Sequence, residues 1–166
     1  LTAALLILDE NRQGLRKLAL TDALTGIYNR HGFDKHVTVY MKQYPEKHCV
    51  GVQFDIDDFK LINDIYGHAS GDKALQILAE SMRKFFPDHA VLGRNGGDEF
   101  CIFLPNCTYD DAEEQLEQFT KIPRVFSCNG KEYQFYISLG YAEYPTFASN
   151  RSQLMRCADA ALYEIK

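Results

Sequence analysis

The sequence contains no tryptophan, and it lacks the features that mark several broad classes of protein. No stretch reaches the roughly 18 consecutive apolar residues of a membrane-spanning helix. The apolar start AALLILDE is not preceded by basic residues or followed by a signal-peptide cleavage site. The five cysteines form no C-x-x-C pair and are odd in number, which argues against a disulfide framework and against a zinc site. We therefore expect a cytoplasmic domain in a reducing compartment, without membrane contact of its own.

An excess of positive charge is missing as well. The chain has 18 lysines and arginines against 23 aspartates and glutamates, which gives a formal net charge of −5. Proteins that bind nucleic acid without specificity present basic surfaces, so we predict no nucleic-acid partner. A phosphate-bearing ligand would need a metal ion or a local basic group to offset the repulsion. The 166 residues, 46% of them hydrophobic, suit one domain with a packed core.

The first twenty residues differ in pattern from the rest. Leu1, Leu8 and Leu15 repeat at intervals of seven, as in a short piece of coiled coil. One interpretation is a terminal helix packed on its own domain. The other, which we favour, is the end of a helical linker from an upstream domain. The chain then divides into a linker helix over residues 1–20 and a domain over residues 21–166.

Beyond the linker, helical and strand patterns alternate, and the whole chain reads ααβαββαββα. Residues 49–56 are typical of a buried strand, and residues 72–86 place apolar side chains on one helical face. NGG and a later NG predict two hairpins, the second with one long strand, KEYQFYISLGYAEY. Thr108 with Asp111 predicts a capping box, and Ser152 a cap for the last helix. We expect an α+β fold with a central, mainly antiparallel sheet surrounded by helices.

Carboxylates occur where two of these strands end or begin. Asp55 closes the first buried strand, and Asp98 with Glu99 follows the NGG turn. The plain interpretation is a pair of solvated strand ends. If the two strands are neighbours, however, Asp55 and Asp98 can converge on a cation, and hard oxygen ligands suit Mg²⁺. Gly96 and Gly97 have no Cβ, which leaves room for a ligand to approach the turn.

The segment between those strands carries further polar side chains. Lys60 can meet a phosphate as a point charge. Asn63 and Asp72 can pair with the edge of a base, and guanine offers matching donors and acceptors. Alternatively, Asp72 caps a helix that begins at Lys73. His68 is either a ligand contact or a structural histidine, and for a lone histidine the structural role is preferred.

Taken together, these motifs resemble the GGDEF domain family of diguanylate cyclases. The matching segments, in family order, are TDALTGIYNR (21–30), FDIDDFKLINDIYGHASGD (54–72), GRNGGDEF (93–100), ISLGYA (137–142) and ADAALYEIK (158–166). The resemblance implies a five-stranded, mainly antiparallel sheet like the palm of nucleotide cyclases and polymerases. It also implies an activity: two GTP molecules, one held by each domain of a homodimer, condense to cyclic di-GMP and release two pyrophosphates. An upstream sensor domain is a further expected partner.

The resemblance also implies roles for individual residues. Asp55, Asp98 and the Ile56 carbonyl would bind two Mg²⁺ ions per half-site, with Mn²⁺ as an alternative, and Glu99 belongs to the same metal site. Asp98 would in addition be the general base. The implied substrate and transition-state contacts are Lys60 as transition-state stabiliser, Asn63 and Asp72 on guanine, His68 on the substrate, and Lys166 on a phosphate.

The sequence departs from the family pattern in two places. Residues 87–90 read PDHA where many members carry R-x-x-D, a product-inhibition site, so we predict no strong product inhibition there. The family pattern also continues beyond Lys166, so the domain is expected to be truncated at its C-terminal end. Two alternatives to an active cyclase remain: an inactive GGDEF domain that binds GTP and regulates an attached module, and a palm-type polymerase or nuclease. The latter would need a basic template groove, and the acidic balance argues against one.

Overall fold

Helices and strands alternate along residues 2–165, the part of the chain that the computed structural model describes; side chains are described from residue 5. The helices are α1 (Thr2–Leu20), α2 (Arg30–Gln43), α3 (Phe59–Tyr66), α4 (His68–Phe85), α5 (Tyr109–Thr120) and α6 (Arg151–Ile165). The strands are β1 (Tyr28–Asn29), β2 (Cys49–Ile56), β3 (Val91–Gly96), β4 (Glu99–Pro105), β5 (Arg124–Cys128), β6 (Lys131–Phe135) and β7 (Ile137–Tyr144).

Five strands form the main sheet, in the order β1-β3-β4-β2-β7. The short β1 runs parallel to β3, and all other neighbours in this sheet are antiparallel. β2 lies between β4 and β7, so the strand that ends in carboxylates has a partner on both sides. The predicted α+β fold with a five-stranded, mainly antiparallel sheet is confirmed, as is the hairpin around NGG.

The two faces of the sheet are covered by different helices. Val50, Val52 and Phe54 of β2 belong to one large apolar cluster with Leu75 and Leu78 of α4. The alternate residues of β2 face the other way, where α2 and α6 pack and a second, smaller cluster forms. Because side chains alternate along a strand, residues of β2 are buried in the apolar clusters on both faces of the sheet.

The predicted long second strand of the later hairpin is wrong. It is interrupted at Tyr136: β5 and β6 form a separate two-stranded sheet, and β7 joins the main sheet. The Tyr136 carbonyl accepts a hydrogen bond from the backbone N–H of Asp57, at 2.9 Å. A contact between residues so far apart in sequence leaves no mark in the local alternation of apolar residues.

Helix boundaries differ from the prediction at two sites. A helix over Phe59–Tyr66 was not predicted, and α4 begins at His68, because Gly67 with φ of 86° separates the two helices. Asp72 therefore lies inside α4, and its predicted alternative role as an N-cap is wrong.

Of the two helix caps predicted for α5 and α6, one is confirmed and the other is wrong. The Thr108–Asp111 capping box is confirmed, since both reciprocal hydrogen bonds are present. α6 begins at Arg151, and the Asn150 side chain accepts a hydrogen bond from the Gln153 amide. The cap predicted at Ser152 is therefore wrong.

Most of α1 is solvent-exposed, including Leu8 and Leu15 of the heptad pattern, at 65% and 68% exposure. Leu1 lies outside the described residues. Among residues 2–165, none of the helices combines the length and apolarity that crossing a membrane would require.

Candidate active site

The turn between β3 and β4 is built on two glycines in the left-handed half of backbone space. Gly96 has φ of 134° and Gly97 has φ of 54°, conformations that side-chain-bearing residues rarely adopt. A Cβ built on either glycine meets no atom within 4 Å. The space above the turn is therefore open, as a site that admits a ligand requires.

Arg94 fixes this turn to the chain segment after α1. Its Nε and Nη2 donate to the Gly97 carbonyl at 2.9 and 2.7 Å, and its Nη1 donates to the Asp22 carboxylate at 3.0 Å. Asp22 in turn accepts hydrogen bonds from the backbone amide and hydroxyl of Thr25, at 2.9 and 2.6 Å. The pair of charged side chains is mostly buried, at 12% and 19% exposure.

These contacts set the charge state of Asp22. Desolvation by partial burial raises the pKa of its carboxyl, but the hydrogen bonds from Thr25 and Arg94 outweigh that effect, and the pKa lies below its ordinary value of 3.8. The bridge between Asp22 and Arg94 was not predicted from the sequence. Both residues do stand in the segments 21–30 and 93–100 that carry the family resemblance, so a signal was present.

The carboxylates meet at one end of the sheet. Asp55 is buried, at 9% exposure, and on β2 it is directly opposite Glu99 of β4 and Ser138 of β7. Residues opposite each other in a ladder project to the same face, so Asp55 and Glu99 are direct neighbours. Asp98 lies one residue earlier, in the turn, and is half-buried. The structure thus places all three acids at the same end of the sheet, with Glu99 as the register partner of Asp55.

The connection that leaves β2 borders the same edge. Ile56 is the last residue of β2, and the next residue, Asp57, accepts a hydrogen bond from the Ser138 hydroxyl at 2.6 Å. Asp58 has φ of 54° and turns the chain into α3. The Ile56 carbonyl therefore lies at the end of the strand that also presents Asp55.

The donors present here fit a magnesium ion with open coordination positions. Within residues 2–165, no three or more His, Cys, Asp or Glu side chains are grouped so as to hold a metal ion unaided. Asp55, Asp98 and Glu99 nevertheless offer hard oxygen donors around an open turn. Mg²⁺ is commonly held by one or two carboxylates together with water and substrate phosphates, and these three acids supply carboxylates of that kind.

The junction of α3 and α4 groups the candidate base-binding residues. A Cβ on Gly71 would lie 2.0 Å from the Asn63 amide oxygen, so only glycine lets α4 approach that side chain. His68 and Asp72 are exposed and four residues apart on α4, which places them on one helical face. Gly71, which approaches Asn63 closely, directly precedes Asp72 on α4.

The two predicted phosphate-binding lysines have different outcomes. Lys60 is exposed in the first turn of α3, which continues from the strand that carries Asp55. Lys166 lies outside the described residues.

A comparison with models of known protein families shows to which family the chain belongs. The model of the family described as "Diguanylate cyclase, GGDEF domain" matches residues 19–166. The chain belongs to the GGDEF family. The α+β architecture and the five matching segments are therefore those of a GGDEF domain, and cyclic di-GMP signalling through a diguanylate-cyclase type of domain is its functional setting.

Individual relatives differ in what their names say. The GGDEF domain is 35% identical over 151 residues to the uncharacterised protein YhcK of Bacillus subtilis, covering 87% of this chain and 42% of that protein. It is 32% identical over 163 residues to the cyclic di-GMP phosphodiesterase NbdA of Pseudomonas aeruginosa, covering 96% of this chain and 21% of that protein. The chain thus spans less than half the length of these relatives.

A solved structure matches over nearly all of the domain. The coiled coil and GGDEF domain of DgcB from Caulobacter crescentus, in complex with c-di-GMP, superposes with a TM-score of 0.86 at 27% identity. The match covers 98% of this chain and 88% of that one, so it includes the region of α1.

Proposed function

We propose that two copies of this GGDEF domain condense two GTP molecules into cyclic di-GMP and release two pyrophosphates. The observation that supports this best is the position of three acids at one end of the sheet. Asp55 lies opposite Glu99, and Asp98 lies in the adjacent glycine turn. Buried charges in proteins are generally paired or coordinate metal ions, and a metal ion at this place would also bind substrate phosphates.

Binding of guanine is assigned to the α3–α4 junction. Asn63 supplies both a donor and an acceptor, and the Asp72 carboxylate accepts from the N1–H and N2–H groups of the base. His68, on the same helical face as Asp72, contacts the substrate. The triphosphate lies toward the turn, where Gly96 and Gly97 leave room for it.

Bond formation needs alignment and charge neutralisation more than covalent assistance. The 3′-hydroxyl oxygen of one GTP forms a bond to the α-phosphorus of the other, and the bond to pyrophosphate breaks. Asp98 accepts the hydroxyl proton. Lys60 and Lys166 offset negative charge on the phosphates.

Two divalent cations, Mg²⁺ or alternatively Mn²⁺, belong to this proposal. Asp55, the Ile56 carbonyl, Asp98 and Glu99 would hold them. Bound there, they would neutralise the phosphate oxygens.

One domain holds one GTP, so the reaction requires a homodimer, and α1 would join two copies and connect them to an upstream sensor. The alternative is a domain that binds GTP without condensing it and regulates an attached module. The relative NbdA, named as a phosphodiesterase, gives that alternative a specific basis.

A direct test is to join the chain through α1 to a parallel dimeric coiled coil, supply GTP and Mg²⁺, and resolve the products by chromatography. We expect cyclic di-GMP and pyrophosphate from the wild type, and a loss of at least about a hundredfold in Asp98→Asn. Asp110→Asn, an exposed acid on α5, serves as the matched control and should retain activity. A dimeric wild type that binds GTP but yields no dinucleotide would refute the cyclase and leave the regulator.

A further inference from the structure

The peptide group that joins Ile56 to Asp57 is held on one side by the segment that leads into β7. Its N–H donates to the Tyr136 carbonyl oxygen at 2.9 Å. The peptide bond is trans, and in a planar trans peptide the N–H and C=O groups point in opposite directions. The Ile56 carbonyl therefore points away from β7 and toward the other neighbour of β2, which is β4.

On the β4 side, the ladder ends just before it reaches this carbonyl. The last register pair of β2 with β4 is Asp55 with Glu99. One step further, the position opposite Ile56 is that of Asp98, which belongs to the glycine turn and not to a strand. The carbonyl is thus directed at the turn that carries Asp98, where it is free of the regular strand pairing.

A side-chain hydrogen bond holds the same peptide from a second direction. The Ser138 hydroxyl donates to Oδ1 of Asp57 at 2.6 Å, and both side chains are half-buried. Ser138 stands directly opposite Asp55 on β7, so its side chain projects to the face of the sheet on which Asp55 lies. Asp57 is therefore anchored to β7 through its backbone and its side chain, and a rotation of the peptide would break both contacts.

The residue that follows is in an uncommon backbone conformation. Asp58 has φ of 54°, in the left-handed region that residues with a side chain seldom adopt. Such a conformation persists where the surrounding contacts fix it, and the two contacts of Asp57 are directly adjacent. Asp58 also leads into α3, which carries Lys60 in its first turn. The anchor on β7 thus supports the Ile56 carbonyl on one side and the start of α3 on the other.

From these observations we infer that Ser138 is a positioning residue of the active site. By holding Asp57 it directs the Ile56 carbonyl to the glycine turn, where that carbonyl and the acids can bind the same divalent cation. This role rests on the metal site of the proposed function. It extends that site to an uncharged side chain on β7, which itself touches neither metal nor substrate. Hydrogen bonds that orient a metal ligand commonly change metal affinity by about 10- to 100-fold.

The test measures Mn²⁺ binding to the whole chain in the presence of 3′-deoxyguanosine 5′-triphosphate, which cannot condense because it lacks the attacking hydroxyl. Electron paramagnetic resonance reports the free Mn²⁺ during the titration. We expect Ser138→Ala to weaken Mn²⁺ binding by about tenfold, and Ser138→Thr, which keeps a hydroxyl, to restore most of the affinity. Ser127→Ala removes an exposed serine hydroxyl on β5 and, as the matched control, should bind Mn²⁺ as the wild type does.

Two further measurements separate positioning from general damage to the fold. In the dimer fused to a coiled coil, Ser138→Ala should raise the Mg²⁺ concentration for half-maximal activity by about tenfold and leave the activity at saturating Mg²⁺ close to that of the wild type. A loss of folded protein would instead lower the activity at saturation. Asp57→Asn keeps an oxygen that accepts from Ser138, so it should weaken Mn²⁺ binding less than Asp57→Ala does.

Several results would overturn the inference. They are an absence of Mn²⁺ binding by the wild type, an unchanged affinity in Ser138→Ala, no recovery in Ser138→Thr, and equal losses in the two Asp57 variants. Failure of the proposed reaction has a different signature. A wild type that binds Mn²⁺ in a manner dependent on Ser138, but forms no cyclic di-GMP, would refute the cyclase and leave the positioning role intact.

Discussion

At the scale of single residues, Asp72 shows how position inside a helix changes the interpretation of a side chain. As a helix cap its carboxylate would be engaged by backbone amides. In the structure it lies in the second turn of α4, exposed, and within the described residues it makes no hydrogen bond. Its oxygens are thus available to a ligand.

Specificity for guanine should therefore depend on this carboxylate. Asp72→Ser removes an acceptor that matches two N–H donors of guanine and that would repel the adenine acceptor at N1. We expect the variant to admit ATP in a dimerised cyclase. Incubation of the variant with both nucleotides should yield adenosine-containing dinucleotides. If only the di-guanosine product forms, the assignment of Asp72 to the base is wrong.

The bridge from Arg94 to Asp22 and Gly97 should contribute to stability because both charged side chains are mostly buried and Arg94 donates hydrogen bonds to the Asp22 carboxylate and the Gly97 carbonyl. Arg94→Met is expected to lower the free energy of unfolding by about 2 kcal/mol, measured by urea denaturation. Lys121→Met breaks an exposed pair with Glu117 and should cost much less, because solvent screens that pair. Equal losses in the two variants would contradict the role given to the bridge.

The same bridge predicts a pH dependence with a definite sign. Because the folded-state pKa of Asp22 lies below 3.8, its contribution is fully present above the unfolded-state pKa and is lost as pH falls through the folded-state value. The stability difference between wild type and Asp22→Asn should be full well above pH 3.8 and should shrink as the pH falls below that value. A difference that grows on acidification would exclude this account.

At the scale of elements, the parts predicted correctly from sequence are those whose causes are local. The NGG hairpin follows from turn residues between apolar runs, and the α5 cap from Thr108 and Asp111, three residues apart. The parts that were missed depend on distant contacts. The residue at which the strand is interrupted, Tyr136, accepts a hydrogen bond from Asp57, and the bridge joins Asp22 to Arg94, 72 residues away. The spacing of residues along the chain does not predict contacts between residues so far apart in sequence.

The candidate site divides in the same way. Asp55, Asp98 and Glu99 were recognisable because carboxylates beside a buried strand and a glycine turn are unusual. The direct pairing of Asp55 with Glu99, rather than with Asp98, required the register of β2 and β4. A register is a property of two strands, and neither strand alone specifies it.

The segment from residue 87 to residue 90 carries a prediction of its own. Its backbone forms a turn, in which the Ala90 amide donates to the Pro87 carbonyl at 2.9 Å. Pro87 and Ala90 stand where many members of the family carry the arginine and the aspartate of R-x-x-D. The segment therefore lacks the arginine that could hold a phosphate and a guanine by paired hydrogen bonds. Calorimetric titration of the nucleotide-free domain should show no tight binding of cyclic di-GMP. Tight binding that is lost on substitution in this segment would refute the prediction.

At the scale of the whole molecule, the proposed reaction needs two half-sites. The specific activity of the chain should therefore rise with protein concentration, because association becomes the limiting step. Fusion to a parallel coiled coil through α1 should abolish that dependence by raising the effective concentration. Enzyme dilution series of both forms provide the measurement. A concentration-independent activity in the unfused chain would show that one copy suffices, or that the chain is already a tight dimer, and sedimentation separates those two results.

The central position of β2 ties the chemistry of this protein to the accuracy of its folding. Side chains alternate between the two faces of the sheet, so a slip of one residue would exchange the faces to which Phe54 and Asp55 point and send Asp55 into the large apolar cluster. Partners on both flanks penalise that slip twice, once against β4 and once against β7. Correct burial of Phe54 and correct placement of Asp55, the proposed metal ligand, are consequently a single requirement, and quality control that removes misfolded copies also removes copies in which Asp55 is displaced.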